Sequence, residues 1–344
     1  MQKVSVIIPC YNVSRFLNEG LESIINQSYD NLEIICLNDC STDDTLSILQ
    51  EFAVEDNRIK IFSNEVNKGL IFTLNKLVSL ASCEILIRMD PDDVAEKDRI
   101  LNLVGKMIED DADLVSSNYS WIDENSKPLK KKGFDLLTTQ LGIKYTAIFN
   151  SPFPHPQSSF KKKIFKRGIY DHDYKAAEDY KLWTVLLLSE NFKGVIVNKE
   201  LYRYRINESG MSLSNASLQS QNHITIAKNY TAKLLCISTE SFRFWDIAKK
   251  MYRIENFKDI DFQLKTVANL RKTFITKFKA DKQEVIEIDS YTFQYLIYLY
   301  KNIWEMSNEG KVSRKRVFTV LFKSVFRTLE LFSLKNIRWI VRNM

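Results

Sequence analysis

The chain has 344 residues, 45% of them hydrophobic and 27% charged, which suits one large domain, or one domain with an extension, and excludes wholesale disorder. Its net charge of +6 is unevenly placed: nine lysines and arginines lie from Lys311 onward against one acid, Glu330, so the rest of the chain is slightly acidic. A body without a basic stripe argues against nucleic acid as partner, and the basic end implies an anionic surface.

Val4-Ser5-Val6-Ile7-Ile8 reads as a strand closed by Pro9. Phe16, Leu17, Leu21, Ile24 and Ile25 recur at helical spacing and predict the first helix. Leu32 to Leu37 is a second strand. Ser41-Thr42-Asp43-Asp44 reads as a capping box opening a second helix that holds Leu46, Leu49 and Phe52. Arg58 to Phe62, Leu70 to Leu80 and Glu84 to Met89 follow as strand, helix and strand. This alternation predicts an α/β fold with a parallel sheet and helices on both faces, where ligands bind beyond the carboxyl ends of the strands. Three polar clusters sit at such ends: Tyr11-Asn12, Asn38-Asp39 and Asp90 to Asp93.

Further on, Leu114 to Trp121 predicts a strand, Asp123 to Pro128 a turn, and Leu129 to Phe134 a return strand. Prolines cluster in Ser151-Pro152-Phe153-Pro154-His155-Pro156, a rigid loop. Ala176 to Leu188 reads as a helix and Val195 to Tyr204 as a late strand. Beyond Asn215 there is no proline and only Gly310 as a glycine, so the remainder reads as helical. Domains are expected at 1–215 and 216–344. In the tail, Phe318, Phe322, Val325, Leu329 and Phe332 share one helical face, opposite Arg316, Lys323 and Arg327. A basic amphipathic helix of this kind suits a membrane interface, so membrane contact through 311–344 is expected. The same face would also suit packing on its own domain or on a second copy of the chain, as in a homo-oligomer.

No secretory apolar core follows Met1-Gln2-Lys3, and no run of about 18 apolar residues occurs, so a cytoplasmic protein is expected. The five cysteines are odd in number, and Cys10, Cys36 and Cys83 lie in or beside apolar runs, as buried free thiols in a reducing compartment would.

Arg88-Met89-Asp90-Pro91-Asp92-Asp93 carries the most chemistry. Three carboxylates within four residues repel one another unless a cation sits among them, and their hard oxygens suit Mg²⁺ or Mn²⁺ bound to a nucleotide diphosphate. The alternative is an acidic loop capping a helix that starts near Glu96. Asn38 and Asp39 could bind a pyrimidine edge or serve only as turn residues. Tyr11 could pack on a base or sugar.

Read together, Val6-Ile7-Ile8-Pro9-Cys10-Tyr11-Asn12, Asn38-Asp39-Cys40-Ser41-Thr42-Asp43, Asn67-Lys68-Gly69-Leu70 and Arg88-Met89-Asp90-Pro91-Asp92-Asp93 resemble family 2 glycosyltransferases of the GT-A fold, over about residues 3 to 213. The resemblance implies a Rossmann-like, mostly parallel sheet flanked by helices, with a helical C-terminal extension. It places Pro9, Tyr11, Asn12, Asp39 and Lys68 at the donor nucleotide, with Arg88 flanking it. Asp90 and Asp92 match the DxD motif that binds ribose and the diphosphate-bound metal, Mn²⁺ or Mg²⁺. His155 resembles the family's His-Pro segment beside the donor sugar, although a lone histidine is more often structural. Glu178-Asp179 matches the acidic pair that holds the catalytic base; without the match it would read as helix N-terminal charge.

The resemblance thus implies an inverting transferase. It would move a hexose or N-acetylhexosamine from a UDP-linked donor to a glycan or lipid-linked acceptor in bacterial surface-polysaccharide synthesis, at the inner face of the plasma membrane. The sequence departs from the family at Cys40, often Gly there; at Asn38, often Asp; at Leu74, before Asn75, where an Arg is usual; and at Asn207, where many members carry a His. A nucleotide-sugar-binding module without transfer activity is the competing reading. A dehydrogenase or nucleotidyltransferase usually needs a glycine-rich loop after the first strand, and Pro9-Cys10-Tyr11-Asn12 is not one.

Overall fold

The computed structural model describes residues 1–130, 136–166, 169–207, 216–249, 251 and 257–308. It opens with β1 (Val4–Cys10), α1 (Ser14–Ile25), β2 (Leu32–Asn38), α2 (Thr45–Glu55), β3 (Ile59–Ser63), α3 (Leu70–Leu80) and β4 (Ile85–Arg88). The four strands pair in parallel in the order β3-β2-β1-β4. Every residue of β1, β2 and β4 is buried, as largely apolar strands covered on both faces require, with Ser5 donating to buried Glu33 inside them at 2.7 Å.

Two local expectations change. Pro9 lies inside β1, opposite Leu37, and does not close the strand. The ladder between β1 and β4 ends at Ile7 and Arg88, so the missing N–H of Pro9 falls where no β4 carbonyl waits. There is also no capping box at α2, because Asp44 is the N-cap residue and makes no side-chain cap bond. Asp43 serves instead: one oxygen accepts the Thr45 N–H at 3.0 Å and the other the Ser14 N–H at 3.0 Å, so a single carboxylate secures the starts of both α1 and α2.

Beyond β4 the sheet turns mixed. The later elements are β5 (Val94–Ala95), α4 (Arg99–Glu109), β6 (Leu114–Ile122), β7 (Pro128–Leu129), α5 (Gln140–Thr146), β8 (Ser159–Lys161), α6 (Glu178–Leu187) and β9 (Gly194–Arg205). The order continues β4-β8-β6-β9-β5, with β8 antiparallel to both its neighbours and β5 antiparallel to β9. The helix after the acidic string starts at Arg99, not near Glu96, because Val94 and Ala95 pair with Arg203 and Tyr202. Buried Gln27 spans that junction: its amide donates to Glu96 O at 2.8 Å and its carbonyl accepts the Ile100 N–H at 3.0 Å. Of the expected return strand, Leu129 pairs with β6, as does Pro128 from the expected turn, while residues 131–135 lie outside the described residues.

The chain divides into two compact units, residues 1–140 with 151–222, and residues 141–150 with the chain from His223 onward. The described helices after β9 are α7 (Ala216–Leu235), whose residues from His223 belong to the second unit with the excursion at 141–150, and α8 (Phe244–Ala248), α9 (Phe257–Phe278) and α10 (Lys282–Asn308). That excursion is held by aromatic packing and paired polar groups. Phe149 packs on Phe244, Tyr291 and Tyr295; the Trp245 indole N–H donates to Ile148 O at 2.7 Å; and the Tyr145 and Thr292 hydroxyls meet at 2.8 Å. No described helix is long and apolar enough to cross a membrane. The amphipathic tail, 311–344, lies outside the described residues.

Candidate active site

The acidic string forms the loop between β4 and β5. Ligand oxygens of Asp90, Asp92 and Asp93 lie within 4.8 Å of one another. Burial, then repulsion from Asp90, pushes the Asp92 carboxyl up to about 6, and burial with both neighbours drives Asp93 well above the usual carboxylate range. One cation is built in: Arg88 Nη2 sits 2.7 Å from Asp90 Oδ1, with the guanidinium side chain only 3% exposed. Burial alone would lower the Arg88 pKa, but Asp90 outweighs it and holds it above the ordinary value. Asp93 Oδ2 is buried with no hydrogen-bond partner. Three converging hard-oxygen groups, with one arginine to balance them, fit a divalent cation.

The other two strand ends form a connected rim. Asp39 is 3% exposed and accepts three protein donors: the Asn64 amide at 2.7 Å, the Lys68 N–H at 2.9 Å and the Gly69 N–H at 2.8 Å. It therefore moors the loop that starts α3, and Gly69 permits this by adopting φ 83°. The Lys68 side chain itself is exposed. Asn12, at φ 50°, accepts the Thr42 N–H at 2.8 Å, tying the end of β1 to the loop after β2. Tyr11 is 45% exposed beside it, its ring free to meet a planar ligand. Pro9 is buried in β1.

The acidic pair opens α6. Glu178 is buried, and desolvation followed by repulsion from Asp179 raises its pKa to about 7. Burial also raises Asp179, against its helix-turn N–H groups, the charge of Arg88 and the Ser151 hydroxyl, which donates to Oδ2 at 3.3 Å. The field of Arg88 acts on both members of this pair and on Asp92, so one buried guanidinium joins the acidic loop to α6 electrostatically. His155 is 7% exposed, with Nε2 2.8 Å from the Tyr170 hydroxyl and its ring edge-on to Trp183. Burial, then Arg88, holds its pKa well below the ordinary histidine value, so it is neutral.

Several residues support the site from outside it, among them Arg99, which with Arg88 matches the flanking arginine pattern of the resemblance. Asn75 clasps Tyr170, donating to its carbonyl at 2.9 Å and accepting its N–H at 3.1 Å, which fixes the partner of His155 from α3. Arg99 lies fully buried over the Tyr202 ring and donates to Arg88 O at 2.6 Å and Pro156 O at 2.9 Å. Tyr202 OH accepts the Asp90 N–H at 3.2 Å. The one available signal was the Tyr202-Arg203-Tyr204-Arg205 run at the end of β9, where arginines are unusual in a buried strand. Asn207 is described and half-buried, while residues 208–215 after it lie outside the described residues.

A β-α core of order β3-β2-β1-β4, an acidic cluster at the end of β4, polar loops at the ends of β1 and β2, and a buried acidic pair opening α6 fit a glycosyltransferase of the GT-A class. The comparisons agree. "Glycosyl transferase family 2" matches residues 5–172. An uncharacterized glycosyltransferase of Haemophilus influenzae is 32% identical over 250 residues, 67% of this chain and 71% of that protein. The chain belongs to glycosyltransferase family 2. The UDP-Glc:alpha-D-GlcNAc-diphosphoundecaprenol beta-1,3-glucosyltransferase WfgD of Escherichia coli is 26% identical over 223 residues, covering 61% of this chain and 79% of its own. Among solved structures, S. aureus TarS residues 1–349 in complex with UDP-GlcNAc superimposes with a TM-score of 0.55 at 17% identity, over 88% of this chain and 89% of that one, a likeness of fold.

Proposed function

We propose that this glycosyltransferase uses a UDP-linked hexose or N-acetylhexosamine and transfers the sugar, with inversion, to a hydroxyl of a glycan or lipid-linked acceptor in cell-surface polysaccharide synthesis. The observation that carries this reading is that one arginine serves two acidic groups: Arg88 pairs with Asp90 of the Asp90–Asp92–Asp93 cluster, and Glu178–Asp179 lie within its field. WfgD, by its name, uses UDP-glucose and a diphosphoundecaprenol-linked sugar, which supports both the nucleotide and the lipid-linked acceptor.

Asp179 is the proposed base. Burial raises its pKa, which makes it a stronger base than an ordinary carboxylate, and general-base help of this kind contributes about 10²–10⁴-fold. As the acceptor oxygen bonds to the anomeric carbon, the bond from that carbon to the diphosphate oxygen breaks. The proton passes to Asp179 and the nucleoside diphosphate departs from the opposite face. Tyr11, Asn12, Asp39 and the Lys68 segment surround the base and ribose, while Pro9 shapes the floor beneath them. Asp90 and Asp92 would hold Mn²⁺ or Mg²⁺, which when bound supplies Lewis-acid neutralisation of the diphosphate. Neutral His155 and Tyr170 form the wall nearest the transferred sugar.

Calorimetric titration with UDP, with and without Mn²⁺, tests the pocket. Metal-dependent micromolar binding is the expected result, to be followed by UDP-sugar turnover with lipid-linked acceptors. Absence of binding to UDP but binding to GDP, dTDP or CMP would replace the donor; absence of all four would overturn the reading. Localisation at the inner membrane face through 311–344 is proposed on the sequence of the tail alone. Flotation of the full chain with anionic vesicles tests it.

A further inference from the structure

The loop that carries the acidic cluster is gripped from two sides by residues that contribute no carboxylate to it. On one side stands Arg205, the last residue of β9, whose side chain is fully buried. Its backbone N–H donates to Asp93 Oδ1 at 2.7 Å, and its Nε donates to the carbonyl of Asp92 at 2.7 Å. The rest of the guanidinium faces away from the cluster: Nη2 meets Glu19 Oε2 at 2.6 Å, while Nη1 donates to the Asp123 carbonyl at 3.1 Å and the Ser126 hydroxyl at 2.9 Å. Ser126 in turn donates to the same Glu19 oxygen at 2.6 Å, and the Phe16 ring lies 4.7 Å from the guanidinium carbon.

On the other side stands α1. A Cβ added to Gly20 would lie 2.2 Å from the carbonyl oxygen of Pro91 and 3.3 Å from that of Asp93. The helix backbone therefore abuts the acidic loop directly, and only glycine permits that approach. Glu19, one residue earlier, is the anchor of Arg205. One turn of α1 thus touches the loop with its backbone and holds the loop's arginine with a side chain.

We propose that Arg205, Glu19 and Gly20 form a clamp that sets the spacing of the Asp90 and Asp92 carboxylates for the divalent cation, with Arg205 as the positioning residue. The inference rests on the reading of that cluster as a cation site. Carboxylates this close repel one another, and a loop held only by its own chain would relax to separate them. Arg205 binds the loop through a backbone carbonyl and through Asp93, leaving the oxygens of Asp90 and Asp92 available. Its guanidinium pairs with Glu19 and reaches the loop through the Asp92 carbonyl, so it fixes geometry without occupying a carboxylate oxygen that the cation would use. Outer-shell partners of metal ligands typically govern affinity by about 10–100-fold.

The test compares wild type with Arg205→Lys, Glu19→Gln and Gly20→Ala, measuring Mn²⁺ affinity by electron paramagnetic resonance and metal-free UDP affinity by calorimetry. Arg205→Lys keeps the charge but loses the fork; Glu19→Gln changes a partly exposed residue and keeps the fold testable if the lysine variant fails to fold. The expected result is a loss of about 10-fold or more in Mn²⁺ affinity with metal-free UDP affinity within twofold of wild type. Unchanged Mn²⁺ affinity in these variants, or an equal loss of metal-free UDP binding, overturns the clamp while leaving the proposed function standing. If wild type itself binds no Mn²⁺, the cation reading fails, and the clamp fails with it.

Discussion

Arg88 Nη2 lies 2.7 Å from Asp90 Oδ1 at the carboxyl end of the interior strand β4, and the same guanidinium leaves Nε and Nη1 buried without a hydrogen-bond partner. An arginine so placed is costly to keep unless its charge is used, because desolvated donors carry a penalty of about 1–3 kcal/mol each. Its use is electrostatic: besides pairing with Asp90, its charge moderates the raised pKa values of Asp92, Glu178 and Asp179.

Replacing Arg88 by Met should therefore have two effects. Breaking a buried pair by removing one partner costs roughly 3–5 kcal/mol; the lower figure is expected here because Asp90 keeps 24% side-chain exposure. Chemical denaturation reads that loss. The acid limb of the kcat/KM profile should also move to higher pH, since Asp179 loses the charge that favours its ionised form. An unmoved limb would separate Arg88 from the acidic pair.

Glu178 gives a prediction of opposite sign. A carboxyl whose folded pKa exceeds its unfolded one destabilises the fold as it ionises. With the folded value at about 7 against 4.5, stability is lost as pH rises through that interval and is fully retained below it. The shift corresponds to roughly 3 kcal/mol. Glu178→Gln should be more stable than wild type at pH 8 by about 1–3 kcal/mol and nearly equal at pH 4.5. Calorimetry at the two pH values decides, and an equal difference at both would deny the buried proton.

Much of this site was legible because it is local. The strand-ending clusters at Tyr11-Asn12, Asn38-Asp39 and Asp90 to Asp93 are set by alternation of apolar runs, and the parallel order of β1 to β4 follows from the same pattern. What the sequence concealed depends on distant pairing. β8, at three residues, is too short to carry a periodic signal, yet it turns the sheet mixed. Val94-Ala95 lies between the acidic string and the helix expected near Glu96, and only its pairing with β9 makes it a strand. Arg205 and Glu19 stand 186 residues apart, and only the fold brings them together. Cys40 is the reverse case: its φ of 61° explains why glycine is common there and why a cysteine is tolerated at modest strain.

Gly69 carries a third prediction. It sits at φ 83° and ψ 163°, a region essentially reserved for glycine, while an added Cβ would meet nothing within 4 Å. Gly69→Ala should therefore cost about 1–3 kcal/mol through backbone strain alone. Relief of that strain would pull the Gly69 N–H from Asp39, so UDP affinity should fall as well. Thermal melting reads the first effect and calorimetry the second; loss of stability with UDP affinity intact would remove Asp39 from the nucleotide pocket.

The two halves of the proposed reaction separate cleanly in a last pair of variants. Asp179→Asn keeps the shape of the group that the Ser151 hydroxyl contacts but cannot take a proton, so donor binding should persist while turnover falls by about 10²–10⁴-fold. Asp92→Ala removes a carboxylate from the acidic cluster and leaves α6 untouched. It should abolish the Mn²⁺-dependent gain in UDP affinity and with it turnover, while metal-free UDP binding stays near wild type. The contrast matters because burial raises both carboxyls, and a raised pKa cannot by itself distinguish a base from a metal ligand. If Asp179→Asn turns over at the wild-type rate, the base lies elsewhere; if both variants lose UDP binding alike, the two residues belong to one binding site and the division of labour proposed here is wrong.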